Sequence, residues 1–139
     1  MLRAAGQYTE DRLVPIEQFV IGGYGSVRGY DPSLYLGDSG YTVSGELMFP
    51  PPGLADKSVY GQRVAQLMQF ALFYDHAGVY NNNAIEGEFG SEHLSGYGAG
   101  FRLFVKNIAT FKYDIGFPVD DIEGADDVFH YFQAAVNFF

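Results

Sequence analysis

The sequence predicts an all-β fold of six antiparallel strands, and three observations support this. Apolar and polar side chains alternate with a period of two along most of the 139 residues, whereas a helical period is nearly absent. Glycine is abundant, with 18 residues, and aromatic side chains make up 17% of the chain. The chain has no cysteine and carries a net charge of −9. This combination is typical of β-barrels in bacterial outer membranes.

The same composition excludes several other classes of protein. The excess of carboxylates argues against nucleic acid as a partner. The absence of cysteine excludes a disulfide-stapled module and a thiolate zinc site. Residues 1–8 contain no apolar signal-peptide core, so we expect either a cytosolic protein or one piece of a longer chain. The length corresponds to one domain at most.

The two phases of the alternation differ in chemistry. One phase is apolar and rich in aromatic side chains such as Tyr97, Phe101, Tyr113 and Phe117, which suits a surface facing lipid. The other phase combines glycines with charges and is predicted to face a wet lumen: Glu46, Asp75, Gly98, Gly100, Arg102, Lys112 and Asp114. A soluble β-sandwich also alternates in this way and remains the alternative. The predicted strands cover residues 2–8, 41–49, 64–80, 94–105, 109–117 and 128–139.

The connections between these strands alternate in length. Residues 9–40, 80–93 and 119–127 form long connections, whereas residues 106–107 form a tight turn. Outer-membrane barrels alternate long outer loops with short periplasmic turns, and the three long connections then fall on the outer side. Only the proline-rich segment 50–63 is longer than a periplasmic turn should be.

Several motifs suggest chemistry but lack the partners that the chemistry needs. Residues 37–40, Gly-Asp-Ser-Gly, resemble the nucleophile segment of a trypsin-like protease, yet all three histidines lie downstream of the serine. The histidines lack metal-ligand spacing, and the acidic loop 119–127 does not match a calcium loop. The glycines of residues 96–100 repeat along one strand face, where they leave room for a neighbouring group. We therefore predict no catalytic residue, metal or cofactor.

Residues 19–30 form a distinct segment in the middle of the longest loop. The segment is rich in glycine and apolar side chains and presents one arginine, Arg28, at its tip. A buried guanidinium needs a carboxylate, ideally one that accepts two hydrogen bonds. Asp75 is the candidate partner because it lies mid-strand in the polar phase. The alternative is a solvated arginine and a separately hydrated aspartate.

This segment resembles the lid-loop signature of the two-partner secretion transporters, which are outer-membrane proteins of the hemolysin-activator type. The resemblance rests on Gly22 and Gly23 and on the run Val27, Arg28, Gly29 and Tyr30. Further blocks of the sequence are similar to the family in the family's order, at residues 37–40, 44–47, 73–78, 94–102 and 113–118. The chain closes on Phe138 and Phe139, like the aromatic C-terminal assembly signal of such barrels.

The resemblance implies the C-terminal part of a barrel of about sixteen strands in the outer membrane of a Gram-negative bacterium, because six strands cannot close alone. It also implies that the remaining strands and N-terminal periplasmic modules are absent from this chain. The implied function is secretion of an unfolded partner exoprotein, with loop 9–40 folded into the lumen and Arg28 docked at Asp75. Outer-membrane lipid and the barrel-assembly machinery are the other implied partners.

Three questions stay open at this level. A barrel-assembly insertase shares the arginine-bearing loop, although residues 37–40 favour the secretion branch. A soluble acidic β-sheet binding module is a more distant alternative. In the last strand the apolar phase ends on Phe138, whereas Phe139 falls in phase with Gln133 and Asn137, so the register of that strand is uncertain.

Overall fold

A computed structural model describes residues 1–59, 61–82, 84, 87, 89–106, 108–120, 122 and 126–137 of the chain. Nearly all regular structure in this part of the chain is β-strand, as the alternating pattern predicts. The elements are β1 (Leu2–Gln7), β2 (Phe19–Ile21), β3 (Tyr35–Gly37), β4 (Ser39–Phe49), β5 (Ser58–Val59), β6 (Gln62–Arg63), α1 (Val64–Leu67), β7 (Met68–Tyr80), β8 (Ser91–Val105), β9 (Ala109–Pro118) and β10 (Phe129–Val136).

Six of these strands form one antiparallel sheet in the order β1-β4-β7-β8-β9-β10. Each of these strands pairs with the next long strand along the chain, so the sheet is a meander. Among the described residues the sheet stays open, with β1 and β10 as its two edges. The prediction of an all-β fold with six antiparallel strands is therefore confirmed.

The strand register separates the two faces of the sheet as the alternation predicts. Side chains of directly paired residues lie on the same face, so the pairs Glu46–Phe73 and Phe73–Gly98 form one row across three strands. The neighbouring position Leu72 points the other way and is 51% exposed, whereas Ala71 is 1% exposed. We call the covered side the inner face and the exposed, apolar side the outer face.

The long loop, residues 8–38, covers the inner face near one end of the sheet. Its strands β2 and β3 form a small antiparallel hairpin. The hydrophobic core lies between this loop and the sheet, where a cluster of fully buried side chains is joined by partly buried ones from neighbouring loops. The buried members are Ile21, Val27, Tyr30, Ala77, Val79 and Leu94.

One part of the strand prediction is wrong. Residues 64–80 were expected to form one strand, but Val64–Leu67 is a single helical turn and the strand begins at Met68. The chain folds back on itself before this turn, since the backbone N–H of Val64 donates to the carbonyl of Lys57 over 2.8 Å. Local backbone bonds of this kind need no partner strand.

No helix among the described residues is long and apolar enough to cross a membrane.

Candidate functional site

The tip of the long loop, residues 22–30, folds tightly against the inner face. Gly22 and Gly29 both have a φ of +106°, a conformation that glycine adopts far more readily than other residues. A Cβ at Gly22 would lie 2.5 Å from the carbonyl oxygen of Asp31, so a side chain has no space there. The Ser26 hydroxyl accepts a hydrogen bond from the backbone of Gly22 over 2.7 Å. These turns bury Val27 and direct Arg28 towards the sheet.

Arg28 makes a two-point contact with Asp75 of β7. Its Nε donates to Oδ2 over 2.7 Å and its Nη2 donates to Oδ1 over 3.0 Å. The backbone N–H of Arg28 also donates to Oδ2, and the Ser44 hydroxyl donates to Oδ1 over 2.6 Å. Arg28 is 2% exposed and Asp75 is 1% exposed. The structure thus brings together the two residues that the sequence analysis paired.

Two further carboxylates and a second arginine extend this contact into a network. Arg28 Nη1 lies 3.3 Å from Glu46 Oε2 and 3.2 Å from Asp114 Oδ2. Arg102 donates to the same two carboxylates, to Glu46 Oε1 over 3.0 Å and to both oxygens of Asp114. All five side chains are buried. Three carboxylates against two guanidinium groups leave the network with a formal charge of −1.

The charge of Arg28 is held in place by its surroundings. Burial alone lowers the pKa of Arg28, but the hydrogen bond to Asp75 and the nearby carboxylates of Asp75, Asp114 and Glu46 outweigh it and raise the pKa above its ordinary value. The ring of Phe73 lies beneath the guanidinium, with 3.4 Å between the Arg28 Cζ and the ring centroid. Such a cation–π contact adds to the electrostatic attraction. Arg28 therefore stays protonated at every physiological pH.

Glycines of β8 and β9 allow the backbone of the loop tip to lie directly on the sheet. A Cβ at Gly96 would collide with the carbonyl oxygen of Arg28, and one at Gly116 would lie 2.7 Å from the backbone nitrogen of Gly29. Gly98 leaves room for the Phe73 ring, and Gly100 leaves room for the ion pair of Arg102 and Asp114. The glycine face of β8 thus accommodates neighbours, as its spacing suggested.

Two tyrosines fix the loop tip from either side. The hydroxyl of Tyr30 donates to the carbonyl of Ser95 over 2.7 Å and accepts from the backbone N–H of Asp120 over 3.0 Å. Burial raises the pKa of Tyr30. The hydroxyl of Tyr131 on β10 accepts from the backbone N–H of Gly29 over 3.0 Å and donates to the carbonyl of Tyr30 over 3.2 Å. The tip therefore contacts the edge strand β10.

Sequence reasoning did not identify Ser44, Phe73 or Tyr131 as part of this site. A signal was present for two of them, because Phe73 and Tyr131 are aromatic residues in the polar phase of their strands. An aromatic side chain on a wet face needs a partner to cover it. Phe73 is covered by Arg28, and Tyr131 packs against Tyr24 with 5.6 Å between the ring centroids.

The Gly-Asp-Ser-Gly segment fastens the base of the long loop. Asp38 Oδ1 accepts from the backbone N–H of Leu13 over 2.8 Å and from the Gln18 amide over 3.1 Å, while Oδ2 accepts from the backbone N–H of Asn82 over 2.7 Å. Burial raises the pKa of Asp38, but these hydrogen bonds and the charge of Arg12 outweigh it and lower the pKa below its ordinary value. The Ser39 hydroxyl bonds to the backbone of Thr9.

The remaining predicted residues lie outside the network. Lys112 pairs with Arg102 across β8 and β9 on the inner face and is half-buried. His76 and His93 stack together on the outer face, with ring centroids 6.2 Å apart. Phe138 and Phe139 lie outside the described residues. Within the described part of the chain, no group of three acidic or histidine side chains is arranged to hold a metal ion.

An open antiparallel sheet with an apolar outer face and a charged inner face has the architecture of an outer-membrane β-barrel wall. The family model described as "Haemolysin secretion/activation protein ShlB/FhaC/HecB" matches residues 1–103, and the chain belongs to this family. Its members are outer-membrane transporters of Gram-negative bacteria that act in two-partner secretion of an exoprotein. No curated protein and no solved structure matches the chain.

Proposed function

We propose that this chain forms one arc of a pore through which an unfolded exoprotein crosses the outer membrane, and that the long loop is the lid of that pore. The observation that carries the proposal is the two-point contact between Arg28 of the loop and Asp75 of the sheet. A solvent-exposed loop would have no need to bury its arginine among three carboxylates. A lid that must stay closed until a substrate arrives does need such a contact.

The energetics of the network favour a closed resting state. When the tip leaves, Arg28 removes one positive charge and the wall keeps a formal charge of −3 + 1 = −2. Stranding buried carboxylates without their partner costs about 3–5 kcal/mol when burial is complete, and less where water enters. A cost of this size keeps the lid closed at rest, yet an arriving polypeptide that makes new contacts can overcome it.

The open edges of the sheet support the idea of a larger barrel. In lipid every backbone donor and acceptor must be paired within the protein, so an edge strand cannot face a bilayer. The sheet has β1 and β10 as edges. We therefore propose that residues 1–139 are part of a transmembrane barrel domain whose other strands and periplasmic modules the rest of the protein supplies. Outer-membrane lipid then contacts the outer face, and the barrel-assembly machinery recognises the end at Phe138 and Phe139.

A reversible cross-link between lid and wall tests this function. Tyr24 of the tip and Tyr131 of β10 are in ring contact, and the chain has no cysteine of its own. In the full-length transporter we expect a cleavable bis-maleimide between Tyr24→Cys and Tyr131→Cys to stop exoprotein release, and cleavage of the linker to restore it. The lid cannot leave the pore while it is tethered.

The two single-cysteine variants, treated with the same reagent, are the matched controls, since each carries one substitution and one adduct but no tether. The Tyr131→Cys control also measures the effect of removing the Tyr131 hydroxyl. Unchanged secretion from a population whose lid is fully cross-linked would contradict the gating role of the loop.

A further inference from the structure

We propose that the place Arg28 occupies is a guanidinium-binding site that takes up an arginine side chain of the passing exoprotein once the lid has left. We call this place the arginine socket and define it by Ser44, Glu46, Phe73, Asp75 and Asp114. The proposal rests on the proposed function and names the substrate group that the same site recognises.

The arginine socket belongs entirely to the sheet. Ser44 and Glu46 lie on β4, Phe73 and Asp75 on β7, and Asp114 on β9. The long loop contributes the guanidinium and the backbone N–H of Arg28, and no wall side chain of the socket. Departure of the lid therefore empties the socket without dismantling it, because cross-strand pairing holds the five wall side chains in register.

The shape of the socket selects a planar cation. Asp75 presents two oxygens to one edge of the guanidinium, Glu46 and Asp114 meet its Nη1, and the Phe73 ring covers one face at 3.4 Å. An ammonium group is a compact point charge that cannot make the two-point contact or stack in the same way. The site therefore favours arginine over lysine.

The second arginine of the network cannot fill the vacancy. Arg102 is already bound to Glu46 and Asp114, and its Nη1 also donates to the carbonyls of Phe101 and Tyr113 over 3.2 and 3.3 Å. After the lid leaves, the wall thus retains its excess of carboxylates until a cation arrives. An arginine on a polypeptide inside the pore is present at high effective concentration and replaces the lost partner.

A cavity adjoins the socket while the lid is docked. A cavity of about 480 Å³ lies beside the loop tip and reaches Asp75 and Ser44. Arg3, Tyr24 and Ser26 line its other sides, so it opens between β1 and the tip. Asp75 itself is 1% exposed, because Arg28 and Ser44 occupy its carboxylate oxygens. The socket therefore becomes available to another guanidinium only when Arg28 withdraws.

Chemical rescue of the full-length Arg28→Ala transporter tests the socket directly. We expect low millimolar guanidinium to raise the melting temperature of this variant in detergent in a saturable manner and to restore most of what the substitution removes. Ammonium at equal ionic strength should not do so. The wild-type protein, whose socket is filled, and the Arg28→Ala/Asp75→Asn variant, whose socket lacks a carboxylate, should show no saturable rise.

A response of the same size in all three proteins, or none in Arg28→Ala, would overturn the proposal. Should Arg28→Ala fail to insert, the wild-type background provides a second measurement. Val27 is fully buried while the tip is docked, so a cysteine at this position should react with an aqueous maleimide only when the tip has left the wall. A short polar peptide with one arginine should speed the reaction of Val27→Cys with the maleimide, and the same peptide with lysine should not. Equal reaction rates with both peptides overturn the proposal.

The outcome is separable from that of the lid experiment. Guanidinium binding to Arg28→Ala requires no secretion, so it can succeed even if a cross-linked lid still secretes. Conversely, a lid that gates secretion while the socket ignores guanidinium leaves the pore proposal intact and removes only the socket.

Discussion

Arg28 carries a positive charge into a place that water barely reaches, and the charge persists there because carboxylates from three strands surround it. Its strongest contact is with Asp75, which receives three hydrogen bonds from Arg28 and one from Ser44. Glu46 and Asp114 are shared with Arg102. Without Asp75, Arg28 therefore keeps two carboxylate partners, Glu46 and Asp114, whereas without Arg28, Asp75 keeps the hydrogen bond from Ser44.

We expect Arg28→Ala and Asp75→Ala in the full-length transporter to lower exoprotein release while leaving membrane insertion largely intact. Asp75→Ala should be the milder change, because Arg28 Nη1 keeps Glu46 and Asp114 as partners. The double variant should lose less than the sum of the singles, since neither charge is then stranded. Release of the exoprotein, measured over the double-mutant cycle, checks this.

Arg28→Lys separates the effect of charge from that of geometry. It keeps the charge but loses the two-point contact, and we therefore expect it to be defective as well. Strictly additive losses, or wild-type release by both single variants, would show that Arg28 and Asp75 do not act as a pair.

At the scale of a single element, β8 receives the backbone of the loop tip through Gly96. A methyl group at this position would occupy the space of the Arg28 carbonyl. We expect Gly96→Ala to displace the tip and reduce secretion without altering any charge of the network. The displacement should appear as faster labelling by an aqueous maleimide of a cysteine at Val27, which is fully buried while the tip is docked.

Gly45→Ala is the matched control for this change. Gly45 lies on β4, on the outer face of the sheet and opposite Tyr74 of β7. The atom nearest to a Cβ built at this position is 4.0 Å away. This variant should label and secrete like the wild type. Equal labelling rates for Gly96→Ala and the wild type would mean that the tip tolerates the methyl group and that the close approach is not required.

At the scale of the whole molecule, the sheet has two features that are unfavourable in water, an apolar outer face and open strand edges. The outer face presents large apolar side chains, among them Leu47, Leu72 and Phe132 at 65%, 51% and 71% exposure. The edges β1 and β10 have neighbours on one side only among the described residues. An exposed apolar face and unpaired strand edges both promote association.

We therefore predict that residues 1–139, expressed without the rest of the protein, do not form a soluble monomer. Size-exclusion chromatography with light scattering in plain buffer should show aggregates or higher oligomers, and detergent should disperse them. A monodisperse monomer with a cooperative thermal transition in the absence of detergent would contradict both the lipid-facing surface and the proposed larger barrel.

The alternation of side chains was enough to predict the six strands and their two faces. The central strands β4, β7, β8 and β9 each have one covered face, and a shift of one residue would turn their apolar side chains to the wrong side, so the pattern specifies the register. The prediction was wrong at Val64–Leu67 because a short apolar run is compatible with a helical turn when local backbone bonds are available. The hairpin of β2 and β3 was not predicted either, since strands of three residues carry almost no periodic signal.

What the sequence by itself determined is the class of fold and the polarity of its faces, because these depend on local period. It offered Asp75 as the partner of Arg28, because a buried charge needs its opposite, and the structure decided between that pair and a solvated arginine. Only the tertiary structure decided that Glu46, Asp114 and Arg102 join that pair and that Phe73 and Tyr131 receive the loop tip. Glu46 and Asp114 are far apart along the chain, and both reach Arg28 and Arg102 because three successive strand registers bring β4 and β9 to nearby levels of one sheet. No local sequence pattern specifies how three strand registers combine, so the network could be identified only from the assembled sheet.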